Sequence, residues 1–329
     1  MASLLQIDDS RQREVILLRG RDVISVEREA LELLEGSLDE NFINACNAIY
    51  GCKRQLVVSG MGKSGHIARK IAATFTATGT PAVFIHPAEA SHGDLGILVR
   101  GDALLVLSNS GNTTELRPLL KFARKNGVTV IGIASRRQSL VTDLADIPII
   151  LPAVREACVV NVAPTTSTTM QLALGDALAM AVMDLRGVSR KHLREIHPGG
   201  SIGLRLTPVA ELMHGPGKLP LVGQHTGMGD VISVMTGGRF GVAGVIDEAG
   251  ALVGIITDGD IRRHFATLAS ATAADVMTSD PKTLPASLLA SDALSSLNEA
   301  KITSAFILDE NGRPVGIISI HDLLRYGLS

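Results

Sequence analysis

The sequence contains no tryptophan and only two tyrosines, so its core must be built largely from aliphatic side chains. Its three cysteines are odd in number and show no C-x-x-C spacing: Cys46, Cys52 and Cys158. This pattern argues against a disulfide framework and against a cysteine zinc site, and it favours a reducing compartment. A core rich in Ala, Val, Ile and Leu is typical of parallel sheets flanked by Ala-rich helices.

The sequence also lacks an excess of charge and long apolar runs. It has 31 basic and 33 acidic residues, a formal net charge of −2 and no long Lys/Arg run. Nothing therefore favours a nucleic acid or an anionic membrane surface as a partner. No apolar run reaches membrane-spanning length, and the first ten residues do not combine a basic region with an apolar core. We expect a cytoplasmic protein with a small-molecule partner.

The most informative stretch, residues 55–70, predicts a buried strand, a glycine-rich turn and the start of a helix. Gly60, Gly62 and Gly65 lie where the backbone must approach a ligand or adopt a positive φ, and Ser64 lies at the helix N-terminus. Free N–H groups there suit the phosphate of a sugar or a nucleotide. The spacing matches neither Gly-x-Gly-x-x-Gly nor the P-loop, so the turn alone is weak evidence.

Strands and helices alternate along the first two thirds of the chain. One or two long helices are expected over Val23–Ile49, a helix over Ser64–Thr78, one from near Asn112 to Asn126 and another from Pro164 to about Arg186. The expected strands are Leu56–Ser59, Ala82–Ile85, Ala103–Leu107, Val128–Ala134 and Ile147–Leu151. This order predicts an α/β fold, a parallel sheet flanked by helices of flavodoxin-like or Rossmann-like type. Its ligands should bind beyond the carboxyl ends of the strands.

The last third of the chain contains an internal repeat, which indicates two similar modules. The segment starting at Val253 matches the segment starting at Val315, and Met213 matches Met277. We therefore expect three domains, with boundaries at 1–207, 208–270 and 271–329.

Several segments together resemble a sugar isomerase (SIS) domain followed by two cystathionine-β-synthase (CBS) modules. Specifically, the chain resembles the bacterial arabinose-5-phosphate isomerase family, over nearly its whole length. The segments are Gly60-Met-Gly-Lys-Ser-Gly-His, His86-Pro-Ala-Glu-Ala-Ser-His-Gly-Asp, Ser108-Asn-Ser-Gly, Glu156-Ala-Cys, Ala163-Pro-Thr-Thr-Ser-Thr-Thr, Gly175-Asp-Ala-Leu-Ala and His197-Pro-Gly-Gly. One segment departs from the family, whose members usually have Pro-Leu-Gly-Leu where this chain has Val159–Val162.

The resemblance implies a tetrameric, cofactor-independent isomerase that interconverts D-arabinose 5-phosphate and D-ribulose 5-phosphate. That reaction is an early step toward the 3-deoxy-D-manno-octulosonate (Kdo) sugar of lipopolysaccharide. Two rival functions stay open: a non-catalytic sugar-phosphate sensor and an isomerase of another phosphosugar. The sequence does not distinguish service to lipopolysaccharide, capsule or sugar catabolism, because related isomerases share these motifs.

Hydroxyl and amide groups near the predicted sheet edge can surround a dianionic phosphate. The resemblance assigns the loop after the third strand to the sugar phosphate, and other small polar residues of the same edge supplement it. The alternative is a set of polar caps that satisfy only their own helices. The expected substrate-binding residues are Gly62, Ser64, Ser108, Asn109, Ser110, Thr113, Thr165 and Ser167.

The resemblance carries over four catalytic residues: Lys63, Glu115, Glu156 and His197. Isomerisation through an enediol needs a carbon base, a shuttle for the oxygen proton and positive potential on the enediolate. We interpret Glu156 as the first candidate base and Glu115 as the second, since a shielded carboxylate can have a raised pKa. His197 would open the sugar ring or relay the oxygen proton, and Lys63 would stabilise negative charge or bind the phosphate.

Plainer interpretations exist for two of these residues. An acidic residue such as Glu115 in a first helical turn would stabilise the helix dipole even without a catalytic role. For Lys63, the plainer interpretation is a solvated charge in a loop.

Two further ligand classes come into consideration. A transition metal, inhibitory or adventitious rather than required, could be held by His66, His86, His92 and His197. In the repeat, Thr257 with Asp260 and Ser319 with Asp322 match the CBS pattern that binds nucleotide ribose and phosphate. A nucleotide or nucleotide-sugar effector and a purely structural pair of modules are both open there.

Overall fold

The computed structural model describes residues 9–328 as two compact units, one ending at Ser189 and the other beginning at Arg190. The boundary between the two compact units therefore differs from the domain boundary expected from the sequence, which lies after residue 207. The expected domain boundary stays a prediction. The first unit is built on a five-stranded sheet of order β2-β1-β3-β4-β5, in which every neighbouring pair is parallel. Its strands are β1 (Leu56–Gly60), β2 (Ala82–Ile85), β3 (Ala103–Leu107), β4 (Thr129–Ala134) and β5 (Ile147–Ile150).

Helices cover both faces of this sheet. They are α1 (Asp9–Gly36), α2 (Glu40–Gly51), α3 (Gly62–Ala77), α4 (Pro87–Ala90), α5 (Arg117–Lys125), α6 (Leu140–Leu144) and α7 (Thr166–Arg186). Alternate strand residues face opposite layers: Leu105 packs in the core with α1, α2, α3 and α7, whereas Leu104 packs with α4, α5 and α6. The predicted α/β fold is confirmed.

The helix boundaries correct three sequence-based expectations. Two N-terminal helices form, and the chain is already helical at Asp9, well before Val23. Helix α3 begins at Gly62, so Ser64 is its third residue rather than its cap. No helix starts near Asn112: a 3₁₀ turn covers Thr114–Leu116, and α5 begins at Arg117, where Pro118 can occupy a first-turn position without needing an N–H partner.

The strand order places a topological switch between β1 and β3. From β1 the chain crosses to β2 on one side, and it then crosses to β3 on the other side. The helices that follow these strands leave in opposite directions, which opens a crevice at the carboxyl ends of β1 and β3. This crevice lies between the glycine-rich turn and the loop after Leu107.

The second unit repeats one arrangement of strands and helices, as its sequence predicts. Its helices are α8 (Arg190–Ile196), α9 (Ser201–Arg205), α10 (Met228–Gly238), α11 (Asp258–Arg263), α12 (Ala273–Val276), α13 (Ala290–Ala300) and α14 (Ile320–Arg325). Its strands are β6 (Leu221–Gly223), β7 (Val242–Ile246), β8 (Leu252–Thr257), β9 (Thr278–Ser279), β10 (Thr283–Pro285), β11 (Ser304–Leu308) and β12 (Pro314–Ser319). Elements α10, β7, β8 and α11 recur 62 residues later as α13, β11, β12 and α14.

The segment at the start of each module, which contains Met213 or Met277, packs on the other module. A Cβ built on Gly316 would meet the sulfur of Met213, and one built on Gly254 would meet the sulfur of Met277. Each methionine therefore packs on the glycine of the other module, and β9 pairs antiparallel with β8. Because of this mutual packing, the modules form one interlocked body. None of the helices in the described range is long and apolar enough to cross a bilayer.

Gly65 lies where α3 packs against the end of β1. A Cβ on Gly65 would lie 2.6 Å from the carbonyl oxygen of Gly60, a backbone atom that cannot move aside alone. We expect Gly65→Ala to lower the free energy of unfolding by at least about 1 kcal/mol, because it overpacks this junction. Gly20→Ala is the matched control, since no atom lies within 4 Å of a Cβ built on Gly20 and alanine forms helices better than glycine. Equal thermal midpoints for the two variants would contradict this expectation.

Candidate functional site

Two helices that run side by side bring their first turns to the same sheet edge. Midway along them, a Cβ on Gly175 of α7 would lie 2.3 Å from Ile71 of α3, and Lys70 forms an ion pair with Asp176. At their far ends Arg186 donates to the Thr80 hydroxyl over 3.0 Å. The helices are therefore parallel, and both begin at the carboxyl edge of the sheet. Gly175 and Asp176, quoted above for the resemblance, hold this arrangement together.

The first turn of α3 is suited to an anion. Gly62 has φ +59°, and the N-cap residue Met61 offers no side-chain acceptor to the N–H groups. Lys63 is exposed as the second helical residue, and Ser64 is half-buried as the third. A helix gains nothing from a cation at its positive end, so the position of Lys63 argues for a bound anion rather than for helix stability.

The loop after β3 is folded tightly on itself. The Ser108 hydroxyl lies 2.8 Å from that of Thr113 and accepts from the Gly111 N–H over 3.1 Å. The Asn109 carbonyl accepts from the Ser135 N–H and hydroxyl, and the exposed Ser110 hydroxyl accepts from the Asn112 N–H. Several polar groups of this loop therefore form hydrogen bonds within the loop itself, as expected if they only stabilise local structure. A loop fixed in this way is also preorganised for a phosphate.

Glu156 is held at the start of α7 by four donors. Its carboxylate accepts from the N–H groups of Thr165 at 2.8 Å and Ser167 at 3.2 Å, and from both hydroxyls of those residues. The carboxylate thus caps α7 from a loop nine residues upstream. Thr165 and Ser167 were expected to bind the phosphate, but in the structure their hydroxyls donate to Glu156. Their role as phosphate ligands stays a prediction.

These contacts reverse the expected direction of the pKa of Glu156. Burial raises this pKa, but hydrogen bonds from Ser167 and Thr165 together outweigh burial and hold it below its ordinary value. Glu156 is therefore ionised at neutral pH and ready to accept a proton. The expectation of a raised pKa is wrong for this residue, because the helix N–H groups stabilise its charge.

The other two predicted catalytic residues lie in different surroundings. Glu115 is exposed in the 3₁₀ turn, where the Thr114 hydroxyl donates to it over 3.2 Å. His197 belongs to the second unit and directly follows α8. Its Nδ1 lies 2.8 Å from the carbonyl oxygen of Leu193, so Nδ1 must carry the proton and Nε2 is the acceptor in the neutral ring. Such a ring can take up a proton, as the predicted shuttle requires.

The four histidines predicted as metal ligands lie on different elements of the structure, and His197 is in the second unit. His66 is exposed on α3, His92 is exposed in a turn, and His86 accepts from the Ala88 N–H as the N-cap of α4. Within residues 9–328 no group of three or more His, Cys, Asp or Glu side chains is arranged to hold a metal ion.

In the second unit, both predicted nucleotide pairs are capping boxes. Asp260 accepts from the Thr257 N–H at 2.8 Å and hydroxyl at 2.6 Å, and Arg263 and Thr278 also donate to it. Asp322 accepts in the same way from Ser319, and its other oxygen lies 3.1 Å from His214 Nε2. The pattern thus has a structural purpose in both modules, as the structural alternative states.

The two pairs differ in their access to a cavity of about 860 Å³ in this unit. Ser319 and Asp322 line it, whereas Thr257 and Asp260 do not. The other cavity-lining side chains with basic groups are His214, Lys218, Arg239, His321 and Arg325.

Cys158, two residues after Glu156, lies in an unusual environment for a thiol. Its sulfur accepts from the Val162 N–H at 2.9 Å and the Ala163 N–H at 3.1 Å, and such N–H groups lower its pKa. Burial instead raises the pKa of Cys46. We expect iodoacetamide at neutral pH to alkylate Cys158 before Cys46, measured by peptide mass spectrometry. Faster labelling of Cys46 would contradict the lowered pKa of Cys158.

Two functional features escaped sequence reasoning. The N–H groups that surround the Cys158 sulfur follow Asn161, which has a φ of +54°, and the guanidinium of Arg19 donates to the Ala157 carbonyl across 138 residues. Arg19 is one of several arginines in α1, so no signal in the sequence distinguishes it.

Comparisons with known proteins agree with the resemblance. Residues 49–181 match the SIS domain family, and residues 209–267 and 273–329 match the CBS domain family. Arabinose 5-phosphate isomerase KdsD of Pseudomonas aeruginosa is 41% identical over 93% of this chain and 95% of its own length. The KdsD protein of Yersinia pestis is 40% identical over 94% and 95%.

A solved structure supports the same relationship. An Escherichia coli CFT073 protein in complex with arabinose 5-phosphate is 34% identical, with a TM-score of 0.55, over 58% of this chain and all of that chain.

Proposed function

Because the chain belongs to the arabinose 5-phosphate isomerase family, we propose that it interconverts D-arabinose 5-phosphate and D-ribulose 5-phosphate. The observation that carries this function is the common edge of the sheet. A helix start suited to an anion, a tightly folded hydroxyl loop and an ionised carboxylate all lie there. The related E. coli protein solved with arabinose 5-phosphate is consistent with a phosphosugar in this crevice.

The reaction moves one proton between two carbons. A base removes the proton from C2 of the open-chain aldose, O1 gains a proton, and an enediol forms. The O2 hydroxyl then loses its proton, and C1 receives one to give the ketose. We assign the carbon base to Glu156, because its carboxylate is ionised and fixed in orientation, and we keep Glu115 as the second candidate.

The remaining roles follow from charge and proton position. Lys63 lies at the positive end of α3, where it stabilises the enediolate or the phosphate dianion. His197 shuttles the oxygen protons through Nε2. These steps need no cofactor, and we propose that a transition metal bound by His197 would inhibit by occupying that nitrogen.

The function is tested by NMR of chelator-treated enzyme with D-arabinose 5-phosphate in D₂O. We expect ribulose 5-phosphate with solvent deuterium at the exchanging carbon. Binding with neither conversion nor exchange would instead support the sensor. Conversion of a hexose phosphate but not of the pentose phosphate would support another phosphosugar isomerase.

We further propose a cytoplasmic homotetramer that supplies Kdo synthesis for lipopolysaccharide, as the family implies. Four consecutive apolar residues of α1, Val15, Ile16, Leu17 and Leu18, are between 55% and 62% exposed, which favours association between copies. Light scattering should give four times the chain mass, and a monomer would contradict this assembly.

A second ligand site is favoured by the cavity of the second unit. Its cationic lining and the carboxylate of Asp322 suit the phosphate and ribose of a nucleotide or nucleotide-sugar effector. Calorimetric titration with such ligands should give binding that Arg239→Ala weakens and that Arg263→Ala, outside the cavity lining, leaves intact.

A further inference from the structure

The loop that carries Glu156 is long and has little regular structure. It joins β5 to α7 through residues 151–165 and is tied to α7 from inside by Glu156 itself. Within the loop, the Glu156 N–H donates to the Asn161 side chain over 2.6 Å, and the Ala157 N–H donates to the Thr165 hydroxyl over 3.0 Å. Loops of this length in compact domains are commonly functional.

One carbonyl group of this loop accepts a hydrogen bond from a distant helix, α1. Ala157 is 1% exposed, so its carbonyl oxygen needs a protein donor, and the Arg19 guanidinium of α1 supplies it. Removing that donor would leave a buried acceptor next to the peptide that sets the direction of Glu156.

The arginine is itself held in place by a neighbouring carboxylate. Asp22, one turn further along α1, accepts from the Arg19 guanidinium and lies 4.0 Å from the guanidinium of Arg155. Residues on both sides of Glu156 are therefore connected to one turn of α1. Donors at the start of α7 hold the Glu156 carboxylate, and contacts from α1 hold the residues before and after Glu156.

We propose that Arg19, oriented by Asp22, is a positioning residue for Glu156. It touches neither the substrate nor the reacting atoms; it sets the place of the loop whose carboxylate takes the proton. The inference rests on the proposed function, because it concerns the base of that isomerisation. A misplacement of about 1 Å in a catalytic group can cost as much as 10²-fold in rate.

The test compares Arg19→Met with Arg19→Lys, and Arg21→Met serves as the control on an exposed position of the same helix. We expect Arg19→Met to lower kcat about tenfold with little change in KM, and Arg19→Lys to restore part of the loss. In a Glu156→Gln background, Arg19→Met should change kcat less than about twofold, because both substitutions then act on one element. Additive effects, or equal kcat values for Arg19→Met and Arg21→Met, would overturn the proposal.

A second readout needs no substrate. Cys158 follows Ala157 directly, so its rate of alkylation against pH reports the order of the loop. Arg19→Met should move the apparent pKa of Cys158 upward toward its ordinary value, and Arg21→Met should not move it. An unchanged profile would overturn the positioning role whatever the activity. A wild-type enzyme that shows the pKa difference but no conversion of arabinose 5-phosphate would refute the proposed function alone.

Discussion

Replacing Glu156 with Gln should lower kcat/KM by about 10²-fold or more. A glutamine keeps the size of the side chain but cannot accept the C2 proton, and it presents an amide donor to one of the donors at the start of α7. The oxygen that remains can accept only part of the four hydrogen bonds that Glu156 accepts. The loss therefore combines removal of the base with a weakened α7 start.

Deuterium exchange separates these two contributions. With Glu156 as the base, Glu156→Gln should suppress solvent deuterium incorporation together with ketose formation, and binding of arabinose 5-phosphate should persist. Glu115→Gln should lower the rate less. Exchange that survives in Glu156→Gln and disappears in Glu115→Gln would transfer the base role to Glu115, and near-normal rates would remove Glu156 from it. Glu299→Gln, an exposed acid on α13, is the control and should leave the rate unchanged.

The pH dependence of the wild-type rate follows from the same contacts. Since Ser167 and Thr165 hold the pKa of Glu156 below its ordinary value, the carboxylate stays ionised as the pH falls through the usual glutamate range. If Glu156 protonation sets the acid limb of kcat/KM, we expect that limb below an ordinary glutamate pKa of about 4.3. A limb shifted above that value would show that another group controls the acid side.

The sheet was predictable because its strands are short, largely apolar runs, and the central strands β1 and β3 are buried on both faces. Ala82–Ile85 and Ala103–Leu107 agree with prediction at both ends, and the repeat appears in the structure at the same spacing as in the sequence. Helix starts were harder to predict. Ser64 resembles a cap, yet α3 already begins at Gly62, whose φ of +59° suits glycine.

The site was predictable in its residues and not in its contacts. The glycine-rich turn, the loop after β3 and Glu156 were each found from sequence, because parallel strands bring their carboxyl ends to one edge. The hydrogen bonds from Thr165 and Ser167 to Glu156, and from Arg19 to Ala157, depend on how α7 and α1 pack. Sequence alone therefore suggested a raised pKa for Glu156, opposite to the direction the structure gives.

The second large effect concerns stability, at Asp260. The residue is 3% exposed, and its carboxylate accepts from Thr257, Arg263 and Thr278. We expect Asp260→Ala to lower the free energy of unfolding of the second unit by about 2 kcal/mol, since it removes the cap of α11 and leaves the N–H group of the half-buried Thr257 without its acceptor. Urea titration with hydrogen exchange of peptides from β7 and β8 measures the loss. Asp275→Ala, which removes an exposed capping box on α12, should cost clearly less.

The same carboxylate should make stability depend on pH. Burial raises the pKa of Asp260, but hydrogen bonds from Thr257 and the Arg263 guanidinium outweigh burial and hold it below its ordinary value. Its contribution is therefore complete above the unfolded pKa, about 3.9, and is lost as the pH falls through the lower folded value. In Asp260→Ala, the decline of the urea midpoint between about pH 5 and pH 3 should be shallower than in the wild type. Equal slopes would show that Asp260 titrates alike in both states, and the capping box would then not account for its low pKa.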